Sequence, residues 1–181
     1  HTIPPVRHDS IAITPGKHTT IAVSTPQGTL ELKVGGKLPT VKNMLCIIRQ
    51  KGKMETLNVQ SFDQKTKYLT GKYDLEVLSL PRMYINDVEI KQSYTTTVEI
   101  PMPGIAIIQL TMRGYGDLYT EEDNKLNWIY KLNEEGQQEM LYLLPGKYRV
   151  IFRSKYATHS FYTMEKSFKI ESGVTTRVNF Y

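Results

Sequence analysis

Apolar and polar residues alternate strictly along Thr29-Leu30-Glu31-Leu32-Lys33-Val34, which puts Leu30, Leu32 and Val34 on one face of an extended strand. Ile105-Ala106-Ile107-Ile108-Gln109-Leu110 is apolar almost throughout and is bounded by Pro103-Gly104 and Gly114, the pattern of a short buried strand. No stretch holds the period of an amphipathic helix, and turn residues punctuate the chain roughly every 8 to 12 residues. The pattern predicts an all-β protein built as antiparallel β-sandwiches.

The pattern also repeats. Thr2-Ile3-Pro4-Pro5-Val6 followed by Ile11-Ala12-Ile13 recurs 77 positions later as Ser79-Leu80-Pro81-Arg82-Met83 followed by Val88-Glu89-Ile90. The match continues from Lys17–Val23 onto Tyr94–Ile100, and a third copy runs from Phe168-Lys169-Ile170 through Thr175–Phe180. A second landmark is Gly71-Lys72-Tyr73 and its counterpart Gly146-Lys147-Tyr148. Each reads as a tight turn leading into a strand whose alternate residues, Tyr73, Leu75 and Val77 or Tyr148, Val150 and Phe152, fill a core. A tyrosine at the same place in both units is a packing residue rather than a catalytic one. Two hairpins with glycine at the tip, Leu45–Leu57 and Ile129–Leu141, are read as equivalent. Together these predict two tandem β-sandwich modules, residues 1–84 and 85–181, the first beginning with the tail of an upstream unit.

The strand, Pro145-Gly146-Lys147-Tyr148 turn and strand at 143–152 resemble the prealbumin-like, Ig-like sandwiches related to the carboxypeptidase regulatory domain. The fuller string resembles the C-terminal region of von Willebrand factor A (VWA) domain proteins of Bacteroidetes. It comprises Tyr73–Leu78, Pro81, Val88-Glu89-Ile90, Thr95-Thr96-Thr97, Pro103-Gly104 and Phe168–Thr176. The resemblance covers most of 66–181 and the first unit more loosely. It implies an exported protein, periplasmic or at the cell surface, with any Mg²⁺-dependent adhesion site in an upstream domain. Asp9-Ser10-Ile11 is the nearest fragment of that metal signature and lacks the rest.

Composition narrows the partners. The net charge of +5 resides entirely in residues 1–80, where 11 Lys/Arg face 6 Asp/Glu, and the lysines there are scattered over strand edges and turns. Such placement blunts edge-to-edge aggregation and argues against nucleic-acid binding. No apolar run reaches the roughly 18 residues that a membrane-spanning helix needs. The single cysteine, Cys46, lies in Met44-Leu45-Cys46-Ile47-Ile48 and reads as a small buried hydrophobe.

Ser24, Ser61, Ser154 and Ser160 lack a nucleophile-elbow motif, so no catalytic residue and no cofactor is expected. A zinc site from His1, His8 and His18 has no supporting ligand spacing. Residues 113–128 have no counterpart in the first unit and read as a glycine-loosened loop. There Tyr115, Tyr119 and Trp128 offer a platform for sugar rings, and Asp117, Glu121, Asp123 and Asn124 offer oxygens to Ca²⁺. The plain alternative is a solvated hairpin tip, with Trp128 in the core at the start of Trp128-Ile129-Tyr130-Lys131-Leu132. The functional expectation is a non-catalytic spacer and docking module with a protein partner. A carbohydrate-binding module using Tyr115, Asp117, Tyr119 and Trp128 is the alternative.

Overall fold

The structure is a computed structural model that describes residues 2–36, 44–159 and 163–180. Among the described residues it is all-β, with fourteen strands and no helix. Strands β1 (Gln27–Val34), β2 (Leu45–Gln50), β3 (Asn58–Ser61), β4 (Lys65–Leu69), β5 (Gly71–Val77), β6 (Met83–Ile90) and β7 (Thr95–Ile100) form one sandwich. A second comprises β8 (Gly104–Leu110), β9 (Gly114–Glu122), β10 (Lys125–Lys131), β11 (Gln138–Leu143), β12 (Gly146–Ser154), β13 (Thr163–Ile170) and β14 (Thr175–Phe180).

Sheet order shows how alike the two sandwiches are. The first has sheets β4-β1-β7 and β3-β2-β5-β6, the second β11-β8-β14 and β10-β9-β12-β13, the same order strand for strand. The first and last strands of each unit lie parallel: in the second, Thr175 is beside Ile105 through Phe180 beside Leu110, and in the first Thr29 N donates to Tyr94 O and Gly35 N to Ile100 O. The pairs β1–β4, β2–β3, β2–β5, β8–β11, β9–β10, β9–β12 and β12–β13 are antiparallel. Residues 84–99 group with the first unit because β6 and β7 complete its two sheets.

The alternation read from sequence becomes burial. In the first unit Leu30 and Leu32 on one sheet and Cys46, Ile48, Tyr73, Leu75 and Val77 on the other are all buried. In the second, Ala106, Ile108 and Leu143 meet Leu118, Tyr148, Val150 and Phe152. Tyr73 donates its hydroxyl proton to the Leu69 carbonyl at 2.7 Å, and Tyr148 does the same to Leu144 at 2.5 Å. Each tyrosine thus clamps the turn before its own strand, a tyrosine corner that satisfies a carbonyl the turn would otherwise leave open. Lysines of the first unit sit in ion pairs: Lys33 and Lys65 at 3.3 and 3.4 Å from Glu31, Lys51 and Lys72 against Asp87.

Two readings of the sequence need correction. Ile11-Ala12-Ile13 and the stretch through Ile21-Ala22-Val23 carry strand patterns yet lie outside any sheet, because among the described residues no neighbouring strand pairs with them. And the β2–β3 hairpin corresponds by sheet position to β9–β10, not to the hairpin at 129–141. A glycine tip recurs in many hairpins, whereas equivalence is set by sheet neighbours distant in sequence.

Cys46 is fully buried on β2, and burial, with the charge of Glu76 adding to it, pushes its thiol up to about 12. Only thiolate reacts. In the native chain at neutral pH, an aromatic disulfide reagent should therefore modify Cys46 at least ~100-fold more slowly than in denaturant, followed by absorbance. Equal rates would place the thiol at the surface.

Candidate functional site

The segment 113–128 is a hairpin, not a loose loop. Asp123 and Asn124 both have positive φ, 49° and 59°, which is the two-residue turn whose twist matches that of the strands it joins. From this turn the pairing runs Lys125 to Glu122, Leu126 to Glu121, Asn127 to Thr120 and Trp128 to Tyr119. On β9 the inward residues are Gly114, Gly116, Leu118 and Thr120, so Tyr115, Asp117, Tyr119 and Glu121 face outward. The glycines serve packing. A Cβ at Gly114 would lie 2.3 Å from the Arg153 carbonyl oxygen, and one at Gly116 would lie 2.7 Å from Leu132 Cδ1.

One irregularity decides where Trp128 goes. After the Trp128–Tyr119 pair the next residue in register is Tyr130, opposite Leu118, so Ile129 is an extra residue, a β-bulge. Regular alternation would have put Trp128 in the core with Tyr130 and Leu132. The bulge reverses the parity: Ile129 and Tyr130 pack on the core, Leu132 is buried, and Trp128 is 59% exposed. This corrects the expectation of a core tryptophan.

All four residues singled out from sequence therefore share the outer face of the four-stranded sheet. The Trp128 indole Nε1 donates to Asp117 Oδ1 at 2.9 Å, and Tyr119 is its cross-strand neighbour. On the adjacent β12, Arg149 lies opposite Tyr119, Ile151 opposite Asp117 and Arg153 opposite Tyr115. Arg149 pairs with Glu121 at 3.0 Å and with Glu165 at 3.5 Å, while Lys155 Nζ lies 5.8 Å from the centre of the half-exposed Tyr115 ring. Sequence reasoning missed Arg149 and Arg153, although the inward Tyr148, Val150 and Phe152 already imply that 149, 151 and 153 face out. A cleft of about 560 Å³ opens beside Trp128, between Trp128-Ile129 and residues 78–82.

The calcium reading does not survive this geometry. Asp117 and Asp123 are six residues apart on an extended strand, roughly 20 Å, and Ca²⁺ ligands must converge to about 2.5 Å from the ion. Asp117 is bound to Trp128, and Glu121 to Arg149. Among the described residues no three of His, Cys, Asp or Glu are grouped as metal ligands. His8 and His18 are exposed, and His1 lies outside the described residues. The corresponding face of the first unit carries Ile47, Val59 and an Arg49–Glu76 pair at 2.7 Å, with no aromatic ring on β2 or β3.

No family model matches the chain, and no curated protein matches it. Solved structures similar to it include the following three. The first is the TIE protein of Bacillus anthracis, at 17% identity and a TM-score of 0.36 over 86% of this chain and 34% of that one. The chain thus spans about a third of its length. The second is GBS52, the minor pilin of Streptococcus agalactiae, at 11% identity and a TM-score of 0.37, covering 86% and 94% of the two chains. The third is a C-terminal fragment of the pilus adhesin SpaC from Lactobacillus rhamnosus GG, at 10% identity and a TM-score of 0.26, covering 84% and 96%.

Proposed function

We propose that the chain is a non-catalytic structural and interaction module of an exported, surface-exposed protein, and that the outer face of β10-β9-β12-β13 docks a partner protein. The observation that carries this reading is Trp128, an exposed indole held by Asp117 beside Tyr119 and within the row that Arg149 and Arg153 extend. Tryptophan, tyrosine and arginine are the side chains that dominate protein interfaces. An indole already fixed by a hydrogen bond loses little further freedom on association. Docking of an upstream VWA-type domain is the finer form of the proposal, and its support is the sequence resemblance.

The test is a titration of the labelled chain on envelopes of the cells that make it. Trp128→Ala should weaken binding by about 30-fold, the size of an interface hot spot of about 2 kcal/mol, and Tyr119→Ala by a similar factor. Neither should cost more than about 1 kcal/mol of folding stability, the scale of one cross-strand pair. Binding unchanged in both variants would remove this face as the docking surface.

A second reading has its own observation: Tyr115, Tyr119 and Trp128 lie on one open sheet face, as an aromatic platform for sugar rings requires. Glycan-array binding lost on Tyr119→Ala or Trp128→Ala would favour it. A silent array alongside intact envelope binding would leave the protein partner.

A further inference from the structure

Residues 2–23 carry the turn features of a strand pair, yet among the described residues they belong to no sheet. In the first sandwich the last two strands, β6 and β7, add one edge to each sheet, and in the second β13 and β14 do the same. Between each pair the turn has one internal hydrogen bond, Tyr94 N to Lys91 O at 3.2 Å and Val174 N to Glu171 O at 3.1 Å. Residues 14–17 make the same bond, Lys17 N to Thr14 O at 3.2 Å. Gly16, Ser93 and Gly173 all have positive φ at the equivalent position, 73°, 62° and 70°, and so do Ser10 and Asp87 at 65° and 60°. The residues just before each pair are held in the same way: the Ile3 carbonyl accepts from Leu69 N at 2.7 Å, as the Leu80 carbonyl accepts from Leu144 N at 2.8 Å.

The difference lies in what the side chains meet. In the first unit Val88, Ile90 and Ile100 are buried and Val98 half-buried, and in the second Ile170, Val178 and Phe180 are buried and Phe168 half-buried, whereas their counterparts Ile11, Ile13, Ile21 and Val23 are all exposed, Ile13 at 82%. Four aliphatic side chains set at strand spacing on a backbone that already has its turn form an unpartnered closing pair.

We propose that residues 2–23 are the last two strands of a further sandwich of this type, lying upstream in the same polypeptide, whose first five strands leave open the edges this segment fills. The repeat names the bonds. In the first unit Thr29 N donates to Tyr94 O at 2.8 Å and Ser93 N to Gln27 O at 2.9 Å; in the second Ile105 N donates to Val174 O at 2.9 Å and Gly173 N to Pro103 O at 3.3 Å. By the same correspondence the Lys17 carbonyl accepts from, and the Gly16 N–H donates to, the first strand of the upstream sandwich. A second copy of this chain is the poorer occupant, since each of its sandwiches already holds its own closing pair.

Hydrogen exchange tests this in two arms. In the present chain the amides of 11–13 and 19–23 should exchange almost as in an unfolded peptide; in the polypeptide extended upstream by its own ~80 residues they should slow by at least ~1,000-fold. In the second arm, residues 79–100 of the full chain are replaced by a second copy of 2–23. The grafted Ile11, Ile13, Ile21 and Val23 amides should become protected and β1 and β5 should stay protected, while a scrambled segment of the same composition should leave the first sandwich open. No slowing in the extended polypeptide, or a graft no better than the scramble, would overturn the proposal.

Discussion

Phe152→Ala should destabilise the second sandwich by about 3–5 kcal/mol, the range for removing a fully buried phenylalanine. Phe152 is completely buried on β12, which lies between β9 and β13. Its ring packs at a tilt on Phe180, centroids 5.8 Å apart, so one truncation opens a cavity against both sheets. The two glycines of β9 lie against the same ring, and rigid backbone there cannot collapse into the void. Chemical denaturation followed by circular dichroism should show the midpoint of the second unit fall, with a slope unchanged from wild type. A loss below about 1 kcal/mol would mean that the ring is not where the two sheets meet.

Gly114→Ala should cost about 1–3 kcal/mol, and Gly116→Ala less. The reason for the order is what each new methyl group meets. At Gly114 it would sit 2.3 Å from the Arg153 carbonyl oxygen and 2.5 Å from Phe152 Cζ, so backbone must move. At Gly116 the nearest atom, at 2.7 Å, is the end of the Leu132 side chain, which can change rotamer. The reverse order, or two neutral substitutions, would restore the reading of these glycines as loop residues.

The β-sandwich character and much of the core were legible in the sequence wherever strand alternation was regular. Leu30 and Leu32, Tyr73 to Val77 and Tyr148 to Phe152 are buried as their period of two demands. The paired Gly-Lys-Tyr turns were legible because local sequence specifies a turn and its clamp. What the sequence hid depends on non-local neighbours. One extra residue at Ile129 leaves no mark in composition, yet it sends Trp128 outward and so creates the exposed row. Gly114 and Gly116 read as flexible until Phe152 is placed against them. Residues 11–13 and 19–23 have a strand pattern that cannot show whether a partner strand exists. Tyr115, Asp117 and Tyr119 were found for the wrong reason, as parts of a loop, and are joined by the regularity of β9.

The docking account rests on the outward indole, and Trp128 is the protein's only tryptophan, so its fluorescence reports on nothing else. Iodide quenching of the native chain, compared with the chain in denaturant, tests the claim most directly. An exposed Trp128 should emit at long wavelength and be quenched about half as efficiently as in the unfolded chain or better, in keeping with its 59% exposure. A blue-shifted emission that iodide hardly touches would put the indole back in the core, restore regular alternation along β10 and remove the surface on which the proposed function depends.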